Sequence, residues 1–291
     1  MIKNKGLISV VIPVFGHPEE LGRALKSVLA QTYGSFEILV VDDGSQEDIR
    51  KVCEVFNDER IRYFRNEKHV NANAARNRGI KEAKGEFVAM LDADDEFLPD
   101  HLQRRIEKTA KWKCDGIFGS AYIFDGDRER IKKSRPLKKY ESMADYLLTD
   151  GFCPTPSHFY RLDAIKTVPW DEALFRNQDY DLSIRFSEKF DFRCDPSPTV
   201  RVHWLKGHKQ KLGDEHFRSQ KAFVKKHKQE ISTPALVNFY HAMKKEAEEA
   251  GNQEALKYYT GKLKEEAPGL RLPLYLLGVR LKAAANRFKI L

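Results

Sequence analysis

Cysteine is scarce in this chain, with four in 291 residues at Cys53, Cys114, Cys153 and Cys194. They are scattered, with no CxxC pair, which excludes a zinc module and a disulfide framework and fits a reducing compartment. No apolar run reaches the roughly 20 residues that a membrane-spanning helix needs. The opening stretch MIKNKGLISVVIPVFG has a short apolar run broken by Pro13 and Gly16, without the cleavage site of a secretory leader. A cytoplasmic location is therefore expected. Internal repeats and low-complexity tracts are also lacking. What is present is an ordinary globular composition, 41% hydrophobic and 32% charged. The length suffices for one large core with an appendage.

Charge is abundant but uneven. The net charge is +8, yet residues 201–291 hold 19 Lys and Arg against 9 Asp and Glu, leaving 32 against 34 elsewhere. A near-neutral body thus carries a basic tail. The tail has no zinc-finger, homeodomain or RNA-recognition signature, so nucleic acid is not an expected partner. From Ala267 onward acids are absent, and Arg271, Arg280, Lys282, Arg287 and Lys289 are interleaved with leucines. The run LPLYLLGV is too short to cross a bilayer. Two readings stand. One is peripheral binding at the inner face of an anionic membrane, where each cation contributes about 1 kcal/mol. The other is closure of the core or of a homodimer contact.

Periodicity predicts an α/β protein. LISVVIPV, FEILVVDD, IRYFRN and EFVAML read as buried strands, separated by helices over residues 18–31 and 48–56 and through AARNRGIKEAKG. Near-continuous apolar strands alternating with helices indicate a mostly parallel sheet covered on both faces. Ligands of such sheets bind at the carboxyl ends of the strands. A further strand is expected over residues 115–124, then a basic connector, DRERIKKSRPLKK. FCPTPSHFYRLDAI reads as loop, strand and short helix, NQDYDLSIRFSEKF as an amphipathic helix, and TVRVHW as a strand. Beyond it the chain is mostly helical, punctuated by Pro234, Pro268 and Pro273. The expected division is residues 1–212 and a helical, basic region over 213–291.

The acids fall at strand ends. FVAMLDADDE runs from an apolar strand into Asp92, Asp94 and Asp95, which repel one another and add nothing to a core. Clustered carboxylates suit a hard cation such as Mg²⁺ or Mn²⁺. The structural alternative is a polar turn with Asp95 or Asp100 capping the next helix. In VVDDGS, Asp42 and Asp43 belong to an Asp-Gly turn or accept hydrogen bonds from a base or ribose. In NANAARNRGI, Arg76 and Asn77 lie early in a helix, and Asn71 could supply a left-handed turn.

Taken together, ISVVIPVFGHPEELGRALKSVLAQTYGSFEILVVDDGS, NAARNRGIKEAKGEFVAMLDADD and QDYDLSIRF resemble the family-2 glycosyltransferases with the GT-A fold. The likeness is dense over residues 7–102, thinner over 152–203 and unspecific beyond about residue 212. It implies a GT-A-type, Rossmann-like sheet flanked by helices, with a helical C-terminal extension. The implied activity is inverting, metal-dependent transfer of a hexosyl or N-acetylhexosaminyl group. The donor would be a nucleotide sugar, most often a UDP-sugar, and the acceptor a hydroxyl of a glycan or lipid-linked glycan.

By the same resemblance, Pro13, Val14 and Phe15 line the nucleotide pocket, Asp42 or Asp43 bonds the base or ribose, and Arg76 lies near base and diphosphate. Asp92-Ala93-Asp94 corresponds to the metal motif, with Asp94 the direct ligand of Mn²⁺ or Mg²⁺. Asp179 matches the catalytic base, with Asp181 a competitor whose alternative is a helix cap. Gln178 departs from the family's usual Glu. His203 is a further metal ligand or a structural histidine, with His208 a rival. Ser157 and His158 fall in a stretch like the acceptor loop. A sugar nucleotidyltransferase would need a Gly-rich phosphate loop, and PVFGHPEELG is not one. A non-catalytic relative is favoured only by Gln178.

Overall fold

The computed structural model describes residues 6–204 and 213–267. Strands β1 (Ile8–Val14), β2 (Phe36–Asp42), β3 (Ile61–Arg65) and β4 (Phe87–Met90) alternate with helices α1 (Pro18–Leu29), α2 (Ile49–Glu54) and α3 (Ala72–Glu82). The strands are parallel, with β1 paired to β2 and β4, and β2 to β3. Successive side chains leave opposite faces of a strand. Val11, Leu39, Val88 and Met90 enter one core and Val10, Ile12, Ile38, Val40 and Ala89 the other. Leu21, Leu25 and Val28 of α1 join the second core, and Ile80 of α3 the first. Each of the larger side chains contributes about 1.5–3 kcal/mol by leaving water, which is why these strands read as unbroken apolar runs.

The next segment departs from the expected single strand. After β5 (Glu96–Phe97) and α4 (His101–Trp112), residues 115–124 form two strands, β6 (Gly116–Gly119) and β7 (Ala121–Phe124), in different sheets. The break is at Ser120, whose Oγ donates to the Pro196 carbonyl and accepts from the Ser134 N–H. Local hydrogen bonding by serine offers the backbone an alternative to the ladder. The basic connector is itself part strand, β8 (Glu129–Lys132), paired antiparallel with β7. Then come α5 (Met143–Thr149), a 3-10 turn at Thr155–Ser157, β9 (Phe159–Arg161), α6 (Leu162–Ile165), α7 (Gln178–Ser187), β10 (Phe192–Asp195) and β11 (Val200–His203). The main sheet runs β10-β6-β9-β4-β1-β2-β3 and only β9 is antiparallel to its neighbours. A smaller sheet, β5-β11-β7-β8, stands at its edge.

Helices α8 (Asp214–His227), α9 (Thr233–Ala250) and α10 (Gln253–Glu266) complete the described chain. Phe223, Tyr240 and Tyr259 share a core with Met90, Phe118 and Trp170, so this region packs on the sheet. Among the described residues no helix is long and apolar enough to cross a membrane. The basic segment 270–291 and His208 lie outside the described residues.

Helix α3 positions the site. Asn71 is extended at φ 179°, not left-handed, and its Oδ1 caps the helix by accepting from the Ala74 N–H at 3.0 Å. Gly79 lets α3 sit close on β1, since a Cβ there would run into Val11. The four cysteines are free and buried, and burial pushes the Cys53 thiol up to about 12.

Candidate active site

Two clefts meet at the carboxyl ends of β1 and β4, where an open parallel sheet binds its ligands. The first, of about 460 Å³, brings together Pro13, Val14, Phe15, Arg76, Asp92, Ala93, Asp94 and His203. Two positive-φ residues, Gly16 at 69° and His17 at 57°, turn the chain after β1 and leave Phe15 half-exposed.

The three acids have distinct surroundings. Asp92 Oδ1 accepts from Arg76 Nη2 at 2.6 Å. Arg76 is steadied by Asn73 Oδ1 at 3.0 Å and lies 4.6 Å over the Trp170 ring. Asp95 is buried and accepts the His203 N–H at 2.9 Å. Its burial, with the charges of Asp94 and Asp92, pushes its carboxyl well above the usual range. Asp94 opens to the cleft, yet the walls shield it from bulk water, and this with Asp92 raises its carboxyl also.

The helix-cap alternative fails for these acids. Asp100 occupies the N-cap of α4 without capping it and pairs instead with Arg104 at 3.4 Å. Asp95 spends its Oδ1 on β11. Among the described residues no three His, Cys, Asp or Glu side chains converge as a ready-made metal cage. The cluster does fit a hard cation with few protein oxygens, completed by water and ligand oxygens, because such a charge relieves the carboxylate repulsion. His203 Nε2 lies 2.7 Å from Glu96 Oε1. A carboxylate only accepts, so Nε2 donates to it, and Nδ1 is the ring nitrogen left for another partner. Carboxylates hold metal-ligating histidines in this way. Glu96 was not singled out from sequence.

Asp42 and Asp43 line neither cleft. Asp42 is saturated by the Ser45 N–H and hydroxyl, Tyr63 and Arg65. Burial alone would raise its carboxyl, but these partners hold it below the usual range. Asp43 is bonded by Asn66, the Val70 N–H and His69 Nδ1. The half-exposed His69 ring also lies 3.9 Å from that of Phe15. His69 thus engages both groups expected to meet a base.

The second cleft, of about 490 Å³, shares Arg76 and Asp92 with the first and reaches the N-terminus of α7. Here Asp179 sits, its carboxyl pushed up to about 6 by burial, against the pull of the Tyr180 N–H and Arg76. Asparagines of α3 fix the segment that leads to it. Asn71 Nδ2 donates to the Glu172 carbonyl, Asn73 Nδ2 to those of Asp171 and Leu174, and Asn77 Nδ2 to that of Trp170, at 2.8–3.1 Å.

Asp181 is not a helix cap. It is fully buried within α7 and bound by Arg185, Lys226 and His227. Burial would raise its carboxyl, but hydrogen bonds from His227, Arg185 and Lys226 carry it well below the ordinary value. It ties α7 to α8, and its carboxylate oxygens are taken up by these partners. Asp181→Ala is expected to lower stability by about 1–3 kcal/mol, because it leaves the buried His227 and the partly buried Arg185 without their carboxylate, while Lys226 keeps Asp171. Its depressed carboxyl adds stability above the unfolded value, and this is lost as pH falls through the folded one. Urea unfolding at pH 7 and in acid checks both statements.

Ser157 and His158 do not line either cleft and are fully buried. Ser157 Oγ accepts the Gly119 N–H, and His158 bonds Cys153 and Tyr160. Burial pushes the His158 imidazole down to about 3. Their neighbours Pro154, Thr155 and Pro156 face the second cleft instead, with Gln178, Lys132, Arg176 and Trp204. Lys132 was hidden in a charge run and Trp204 at the end of TVRVHW.

Comparison with known proteins agrees with this geometry. A model described as Glycosyl transferase family 2 matches residues 9–168, from β1 past β9. The amylovoran biosynthesis glycosyltransferase AmsB of Erwinia amylovora is 34% identical over 221 residues, 72% of each chain. The UDP-Glc:alpha-D-GlcNAc-diphosphoundecaprenol beta-1,3-glucosyltransferase WfgD of Escherichia coli is 35% identical over 122 residues, 42% of this chain and 48% of its own. Among solved structures, residues 1–349 of S. aureus TarS in complex with UDP-GlcNAc superpose with a TM-score of 0.61 at 15% identity, over 89% of this chain and 88% of that one. That likeness establishes the GT-A fold. With the family's model covering more than half of the sequence, the chain belongs to glycosyl transferase family 2, a glycosyltransferase.

Proposed function

We propose that this glycosyltransferase moves a sugar from a UDP-sugar to a hydroxyl of a glycan or lipid-linked glycan, with inversion at the anomeric carbon. One observation carries the reading: Arg76 and Asp92 form a wall common to both clefts. A donor diphosphate in the first cleft therefore lies beside the base in the second. UDP as the nucleotide is supported by the names of the compared proteins, one bound to UDP-GlcNAc and one acting with UDP-Glc.

Pro13, Val14 and Phe15 form the apolar wall for the nucleoside. Asp43 accepts from the base once His69 moves aside. Mn²⁺ or Mg²⁺, held by Asp94 and Asp92 with His203 as a nitrogen ligand, would offset the charge that builds on the leaving diphosphate. Arg76 adds positive charge at the same wall and keeps Asp92 in place. Asp179 takes the proton from the acceptor hydroxyl, which attacks from the face opposite the diphosphate. Its raised carboxyl suits that work, since a base is most effective when its pKa lies near the working pH.

Thermal shift across UDP-, GDP- and dTDP-sugars with Mn²⁺ tests the donor, because a ligand bound only by the folded state raises the melting temperature. Stabilisation by UDP-sugars is expected. A response to another nucleotide alone would assign the base differently, and no response to any would overturn the donor reading.

A further inference from the structure

The second cleft holds two cations that proton abstraction does not use, on a lining that also carries Asp92, Asp95 and Asp179. Lys132 and Arg176 both line it, and neither forms an ion pair or side-chain hydrogen bond among the described residues. Lys132 Nζ lies 4.4 Å from the Phe152 ring centroid and 4.9 Å from that of Trp204. Shielding by the cleft walls and the nearby Arg130 lower its hold on a proton against the pull of Asp179, although the side chain stays exposed, and a bound anion would relieve that penalty. Trp204 is 41% exposed, an aromatic face beside that cation. The N-terminus of the ten-residue helix α7 opens into the same space, and its N-cap Asn177 makes no side-chain cap. The Tyr180 N–H at that terminus is taken by the Asp179 carboxylate at 2.9 Å, which leaves Lys132 and Arg176 as the positive groups of the lining without a pair among the described residues. Two buried nitrogens on the lining, Arg76 Nε and His216 Nδ1, have no partner. Gln178 adds no charge of its own.

The geometry points to an acceptor that is a glycosyl phosphate or diphosphate, with its phosphate on Lys132 and Arg176 and its sugar face on Trp204. The sugar hydroxyl is then presented to Asp179. Surfaces of this kind combine a charge-assisted grip on phosphate oxygens with stacking on an aromatic ring. The inference rests on the two-cleft reading above and adds the chemical class of the acceptor. The phosphate could belong to a soluble sugar phosphate or to a lipid-linked diphosphate, whose chemistry at these residues is the same.

The test is calorimetric titration of protein saturated with UDP and Mn²⁺, so that the donor cleft is filled. The probes are N-acetylglucosamine 1-phosphate, glucose 1-phosphate, their methyl glycosides, and N-acetylglucosamine joined through diphosphate to an undecyl chain. At least one phosphorylated probe should bind roughly 10-fold or more tightly than its methyl glycoside, with the advantage shrinking in high salt. In the double variant Lys132→Ala, Arg176→Ala that advantage should vanish, while UDP binding and melting temperature stay unchanged. Gln178→Glu, which adds a negative charge to the lining, should weaken the phosphorylated probes and leave UDP binding alone. Gain from the undecyl chain would place the acceptor on a lipid, and equal binding without it would indicate a soluble phosphate. Methyl glycosides that bind as well as every phosphorylated probe would overturn the proposal, as would a double variant that keeps the preference. Failure of UDP itself to bind would instead refute the donor assignment, and with it the acceptor role of this cleft.

Discussion

Asp179→Asn is expected to lower turnover by roughly 10²-fold or more, with the UDP affinity nearly unchanged. The substitution keeps the shape of the side chain and removes only its ability to take a proton. The carboxyl is pushed up to about 6 by burial, so it is neutral below that pH and able to act as a base above it. The rate of the native enzyme should therefore fall as pH drops through about 6, and the variant should lose this dependence. A raised carboxyl also costs the folded state stability as pH rises from the unfolded value through the folded one. At pH 7 the asparagine variant should thus be more stable than the native protein, by on the order of 1–3 kcal/mol. Steady-state kinetics, calorimetry with UDP and urea melts measure the three quantities. A mild effect here together with a crippled but folded Asp181→Asn would move the base to the other acid.

Asp94→Ala is expected to reduce turnover by roughly 10²–10³-fold, the scale of losing one preorganised electrostatic group. It should also abolish the dependence of UDP affinity on Mn²⁺. Native protein in EDTA should behave likewise and recover when Mn²⁺ or Mg²⁺ returns. Protons compete with cations for carboxylates. Since the Asp94 and Asp95 carboxyls are both raised, the metal concentration for half-maximal activity should climb as pH falls. Full activity in EDTA would remove the metal from the mechanism.

The first half of the fold was readable because β1, β2 and β4 are buried throughout, and short helices separate them. The split at Ser120 was not, since both halves of residues 115–124 are apolar and nothing local shows that they join different sheets. The candidate cleft was legible where a residue's place follows from its position at a strand end, as with Pro13, Val14, Phe15, Asp92 and Asp94, which line it together. It was not where a distant partner decides. Asp179 and Asp181 are alike in sequence, two residues apart on one helix. Only the approach of His227 and Lys226 on α8 turns Asp181 into a structural tie. Asp42 and Asp43 are adjacent acids at a strand end, but Tyr63 and Arg65 of β3 saturate the first. Ser157 and His158 belong to the interior because the chain folds beneath them, a fact their polarity conceals.

Asn71 at the N-cap of α3, with Asn73 and Asn77 within it, holds residues 170–174 mainly through the main chain, by bonds to four carbonyls and from the Trp170 N–H, and Asn77 also reaches the Glu172 carboxylate. Carbonyls are the same whatever side chains a loop carries. Exposed positions of residues 170–174, such as Ala173, are therefore free to change without re-aiming the Asp179 carboxylate, while Trp170 and Asp171 stay tied to Arg76 and Lys226. Variation in what the enzyme accepts can accumulate around a chemical centre held still by a neighbouring helix, and innovation in substrate need not be paid for with a loss of aim.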